Sequence, residues 1–125
     1  MMALLEVDEE FLSRKGYVYD VTSENASTAV VIKDFPLPPA YSPQLVELLI
    51  RLPAGYPQGN PDMFWTAPHV QRVGGGDPLA ASEKETHLGR VWQRWSRHWS
   101  ASWRPGVDGL HTFIAATINE LRKGV

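Results

Sequence analysis

Short apolar runs broken by polar and turn residues mark the first half of the chain. Residues 17–22 (YVYDVT) and 28–35 (TAVVIKDF) are rich in β-branched and aromatic side chains, and SENAS between them supplies turn residues. This pattern predicts an antiparallel hairpin. FPLPPAYSP then places four prolines in nine residues, which excludes both helix interior and central strand and predicts an extended connection. In LVELLIRL, residues 45–52, Val46, Leu48 and Ile50 fall on one face at period two with Glu47 and Arg51 on the other, so a third strand is expected. PAGYPQGNP is turn chemistry, and DMFWTAP (62–68) reads as a short edge or final strand closed by proline. From Val73 to Leu88 the chain passes through GGGDP and ASEKETHLG, polar and weakly patterned, and predicts a long loop with room for a helical turn.

Periodicity changes near the C-terminus. Leu110, Phe113, Ile114, Thr117, Ile118 and Leu121 form one stripe of an amphipathic helix that packs on the sheet. Asp108 stands where an N-cap belongs and Gly124 where a helix stop belongs. Strands first and a helix last is the α+β pattern: an antiparallel meander of about four strands with a C-terminal helix on one face. Residues 1–125 show no repeat and no internal boundary, so one domain is expected.

Composition narrows the function without naming it. With 125 residues, 43% of them hydrophobic and 21% charged, the chain buries one core unaided by disulfides or structural metal. It has no cysteine, which removes disulfide frameworks and zinc ribbons. MMALLEVDEEFL lacks the basic start and longer apolar run of a signal peptide, and no stretch approaches the ~20 apolar residues of a membrane helix, so a cytoplasmic protein with no membrane partner is predicted. The formal charge of −2 argues against nucleic acid as partner, although Arg90, Arg94, Arg97 and Arg104 gather around residues 91–99, VWQRWSRHW.

That stretch has a purely structural reading. Trp92, Trp95, Trp99 and Trp103 recur at spacings of three, four and four, which on a helix would make one apolar stripe with the arginines outside. His69, His87, His98 and His111, with Asp62 and Asp77, match no metal-ligand spacing, and no metal or cofactor is expected. GGGDP lacks the Lys-Ser/Thr of a phosphate loop and reads as a flexible loop or gate.

Several of these runs resemble one family. LPAGYPQGNPDMFW is similar to the strand, Tyr-Pro turn and strand of the ubiquitin-conjugating (UBC-like) fold, and GRVW falls where those enzymes carry a Gly-Arg-Ile-Cys-like run. WQRWSRH followed by WRPGVD resembles the signature of the bacterial ubiquitin-conjugating-like proteins of prokaryotic E2 family E, over roughly residues 15 to 123. The resemblance implies a ubiquitin-like protein and a ThiF-type adenylating enzyme as partners, and a role in phage defence. One departure stands out: the place of the thioester-forming cysteine is held by Trp92, and no His-Pro-Asn precedes it, the nearest echo being APHV around His69. Either another nucleophile serves, or transfer has been lost, or a natural cysteine has been replaced.

Acyl transfer requires a nucleophile, a base within hydrogen-bond reach and donors for the oxyanion. Ser96 is the hydroxyl inside the signature, and on an extended backbone His98 points to the same side. Ser96 is therefore a candidate to carry the ubiquitin-like C-terminus as an oxyester, with His98 or His87 as base and Arg97 or Arg94 either at the oxyanion or on the partner's C-terminal tail. Arg94, Trp92 and Trp95 are candidates for gripping the partner. The alternative is a non-catalytic module that docks the ubiquitin-like protein or its activating enzyme.

Overall fold

A computed structural model describes residues 4–99 and 101–123. The chain runs α1 (Glu6–Arg14), β1 (Val18–Glu24), β2 (Ser27–Pro36), β3 (Tyr41–Ser42), β4 (Leu45–Leu52), β5 (Phe64–Ala67), β6 (Gln71–Arg72), β7 (Glu83–His87), β8 (Arg90–Trp95) and α2 (Leu110–Lys123). One antiparallel sheet has the order β1-β2-β4-β5-β8-β7, and β3 pairs with β6 apart from it. The α+β expectation holds, but the sheet has six strands rather than four.

The two extra strands come from residues read as loop or as a tryptophan stripe. β7 alternates Glu83, Glu85 and His87 with Lys84 and Thr86, so its inward side is ionic and carries no apolar signal. It joins β8 through Leu88 and Gly89, whose φ angles of +55° and +74° suit a two-residue hairpin of the I′ kind. β5 is not an edge: it lies between β4 and β8 with all four residues buried, and the flanking Pro61 and Pro68 stand outside the ladder, where no hydrogen bond is lost.

Both faces of the sheet carry apolar side chains. On the first, Val30, Ile32, Leu48, Ile50, Phe64 and Trp95 pack beneath α2 (Leu110, Phe113, Ile114, Leu121) and α1 (Phe11, Leu12). On the second lies a smaller cluster of Ala29, Val31, Leu49, Trp65, Ala67 and Trp92. Trp92 and Trp95 are three apart on one strand and so fall on opposite faces, which replaces the single helical stripe expected of the tryptophans. Trp99 continues the first cluster, stacked on Phe113 with ring centroids 6.2 Å apart.

Helix α2 buries the predicted stripe, with Ile118 half-buried at its margin. Its N-terminus is not capped by Asp108, whose carboxylate instead accepts the backbone N–H of Arg104 at 2.8 Å and closes a turn. The cap comes from 102 residues away: buried Asp8 on α1 accepts Leu110 N–H at 3.1 Å and the Tyr56 hydroxyl at 2.7 Å. Burial and the Asp8 carboxylate raise the Tyr56 pKa, so that hydroxyl stays a donor. Gly124 lies outside the described residues. Asp8→Asn weakens the charge at the helix N-terminus and turns one acceptor into a donor facing N–H or O–H, and is expected to cost about 1–3 kcal/mol. A urea midpoint equal to wild type would contradict this cap.

Candidate functional site

The site is built where β8 leaves the sheet. Ser96 N–H donates to Ala80 O at 2.8 Å, and Arg97 N–H donates to Trp95 O at 2.9 Å, closing a three-residue turn centred on Ser96. This turn ends the strand alternation that would have put Ser96 and His98 on one side. Ser96, half-buried, accepts Arg94 Nε–H at 3.0 Å on its Oγ. His98, with its side chain 63% exposed, pairs through Nδ1 with Asp62 Oδ2 at 2.8 Å, and the same carboxylate accepts Trp99 N–H at 3.3 Å. Among the described residues, Ser96 and His98 share no hydrogen bond.

Arg97 points into the protein. Only 8% exposed, it donates Nε and Nη2 to Leu79 O at 3.2 and 2.9 Å and Nη1 to Glu120 O at 2.6 Å. Its guanidinium lies 4.9 Å from the Trp95 ring centroid. It pins the 79–80 loop to a carbonyl in the last turns of α2, where a cation also suits the helix dipole.

A second chain of polar contacts crosses the back of the sheet. Arg94 Nη1 reaches Glu85 Oε2 at 2.7 Å. Glu85 Oε1 accepts Trp65 Nε1–H at 2.9 Å and meets His87 Nε2 at 3.0 Å. His87 Nδ1 meets Glu24 Oε1 at 3.1 Å, and Glu24 Oε2 accepts Leu88 N–H at 2.6 Å. Because β1 and β7 are the opposite edges of the sheet, these contacts require it to curl until the Glu24 side chain at the end of β1 reaches the β7–β8 turn. Trp92 Nε1 donates to His87 O at 3.0 Å, and the Arg90 guanidinium covers the Trp92 ring at 4.5 Å while pairing with Glu47 at 3.0 Å.

The structure therefore gathers Ser96, Arg94 and, through Glu85, His87 on one face, and sends His98 and Arg97 elsewhere. Trp92 and Trp95, 1% and 0% exposed, are held within the protein's own cores. Sequence reasoning missed Glu85 and Glu24; the signal for Glu85 was the every-second-residue spacing of Glu83, Glu85 and His87, legible only once a strand is assumed, and Glu24 had none. It also missed Gln93, whose buried amide accepts Thr66 Oγ1–H and Val70 N–H and donates to Val70 O and Ala81 O, fixing the 67–81 connection behind Ser96. His69 pairs with Asp77 at 2.6 Å through Nε2, while its Nδ1 is buried without a partner among the described residues. No group of three or more His, Asp or Glu among the described residues is arranged to hold a metal ion. No helix among them is long and apolar enough to cross a membrane.

Burial alone raises the Glu85 pKa, but hydrogen bonds from His87, Arg94 and Trp65 together with the Arg94 charge outweigh it and bring the carboxyl from 4.5 to about 2. Glu24 is also lowered, chiefly by the Leu88 N–H. A carboxylate depressed in the folded state adds stability above its unfolded value, and that stability disappears as pH falls through the folded one. The pinned β7–β8 turn is therefore expected to loosen between roughly pH 4.5 and 2. Urea midpoints followed by tryptophan fluorescence across that window should fall more for wild type than for a Glu24→Gln/Glu85→Gln double variant. Equal acid sensitivity in both proteins would refute it.

An antiparallel sheet, two helices on one face and a serine set against an arginine where β8 leaves the sheet define an α+β domain with one candidate site. The chain belongs to prokaryotic E2 family E, whose family model it matches over residues 4–124, and this places it among ubiquitin-conjugating-like proteins. No curated protein and no solved structure matches it.

Proposed function

We propose that this chain is a cytoplasmic carrier of the UBC-like fold. It accepts the C-terminus of a ubiquitin-like protein from a ThiF-type adenylating enzyme and holds it as an oxyester on Ser96. The observation that supports this most is the placement of Ser96: a half-buried hydroxyl at the mouth of β8 whose oxygen is already held by Arg94 Nε–H at 3.0 Å. In the transfer, Oγ attacks the acyl carbon of the activated C-terminus, the bond from that carbon to the adenylate oxygen breaks, and AMP leaves. The Oγ proton goes to a base, and the adjacent guanidinium favours the alkoxide character that Oγ gains as it attacks. Of the two candidate bases His98 is the more exposed, and to serve Ser96 it has to leave Asp62. His87, with both ring nitrogens engaged and its side chain 13% exposed, is less able to move.

A second reading is a docking module that binds the ubiquitin-like protein or its activating enzyme without a covalent step. The pairing of His98 with Asp62 rather than with Ser96 favours it. Incubation with the two partners and ATP, followed by a denaturing gel, separates the readings. The carrier yields an adduct that hydroxide and hydroxylamine cleave and reducing agents leave intact; the docking module yields a complex on size-exclusion chromatography and no adduct.

A further inference from the structure

Glu85, on the second face of the sheet, accepts from three side chains, Trp65, His87 and Arg94, at 2.9, 3.0 and 2.7 Å. In register, Arg94 stands opposite Glu83 and Trp92 opposite Glu85. Arg94 thus bypasses its directly opposed, exposed carboxylate and reaches diagonally to Glu85, a separation that long side chains span across antiparallel strands. The choice follows from anchoring: Glu85 is already fixed by an indole N–H and an imidazole, whereas Glu83 is exposed.

An arginine side chain has several rotatable bonds, and a donor aimed by chance at Ser96 Oγ would spend little time there. With Nη1 tied to Glu85 and Nε bonded to Ser96, the planar guanidinium is fixed at two of its edges. We propose that Glu85 is the positioning residue of Ser96: by anchoring Arg94 it sets the Nε–H donor against the hydroxyl oxygen that accepts the acyl group. This rests on the reading of Ser96 as acyl acceptor. It assigns Glu85 a task beyond holding the β7–β8 hairpin, because the same carboxylate links that hairpin to the aim of Arg94.

The test uses the full chain with its two protein partners and has two readouts. The first is the rate of oxyester formation, together with the affinity of the non-covalent complex. The second, independent of any transfer, is the solvent protection of the Arg94 Nε–H measured by NMR. Glu85→Gln keeps an acceptor for Trp65 but loses the charge that holds Arg94, and is expected to slow ester formation by about 10- to 100-fold, the scale of a small misplacement near a reacting group. Complex affinity should be unchanged and Arg94 Nε–H protection lost. Glu85→Asp keeps the charge and is expected to fall between Glu85→Gln and wild type, which retains a measurement should Glu85→Gln fold poorly. Glu83→Gln should match wild type in both readouts. Protection of Arg94 Nε–H that persists in Glu85→Gln, or an unchanged rate of ester formation, overturns the assignment. A wild-type protein that forms no ester overturns the carrier reading instead, and Arg94 Nε–H protection then decides alone whether Glu85 positions that donor.

Discussion

Ser96→Ala is expected to eliminate the hydroxide-labile adduct outright, because removing the oxygen removes the atom that would be acylated. The loss should not be confused with unfolding. Ser96 is half-buried, and among the described residues its side chain takes part in one hydrogen bond, from Arg94 at 3.0 Å, so the change in unfolding free energy should stay within about 1 kcal/mol. Its backbone N–H bond to Ala80 O survives the substitution. Ser96→Cys carries the argument further: a thiol at the same position, beside the same guanidinium, is more readily ionised than a hydroxyl and is expected to form a thioester. The adduct should then become cleavable by dithiothreitol. Unchanged adduct in Ser96→Ala would remove this residue from the chemistry.

Trp95→Ala should have the largest effect on stability. The indole is fully buried, stacks on Phe64 at 5.3 Å, meets Tyr41 edge-on at 5.6 Å and donates Nε1–H to Thr66 Oγ1 at 2.8 Å. Its face also carries the Arg97 guanidinium that joins the 79–80 loop to α2. Truncating such a residue leaves a cavity where sheet and helix meet and typically costs about 3–5 kcal/mol. Against a usual total of about 5–15 kcal/mol, this brings the protein close to its unfolding threshold. Urea denaturation followed by circular dichroism measures it; a loss under about 1 kcal/mol would mean that this core is not organised around Trp95.

How far the fold was legible depended on whether its elements bury apolar side chains at a simple period. β1, β2 and β4 are runs of β-branched, aromatic and aliphatic residues bounded by turn residues, and α2 repeats at helical spacing, so each was readable. α1 was not, because one of its buried positions is Asp8, a charge retained for its bonds to Tyr56 and Leu110 and invisible to an apolar pattern. β7 was hidden for the same reason, its inward positions Glu85 and His87 being satisfied by Arg94, Glu24 and Trp65 rather than by a core. The tryptophans misled through their spacing: with apolar clusters on both faces of the sheet, Trp92 and Trp95 serve different cores from one strand.

At the site, the sequence identified the stretch but not its partners. Ser96 and Arg94 were each legible as candidates, but Ser96 was matched with His98, and its bond from Arg94 was not foreseen. The tight turn at Ser96 was not, and it is this turn that carries His98 toward Asp62 and Arg97 into the core. Contacts such as Glu24 with His87, which join residues 63 apart in sequence, arise from the curl of the sheet and leave no local trace.

The most direct test of the account is to locate the acyl bond. The adduct formed with the ubiquitin-like protein, its activating enzyme and ATP is digested at mildly acidic pH, where esters survive, and analysed by tandem mass spectrometry. The account predicts the C-terminal remnant of the ubiquitin-like protein esterified to Ser96. A remnant on any other residue, or a non-covalent complex with no remnant at all, would contradict it.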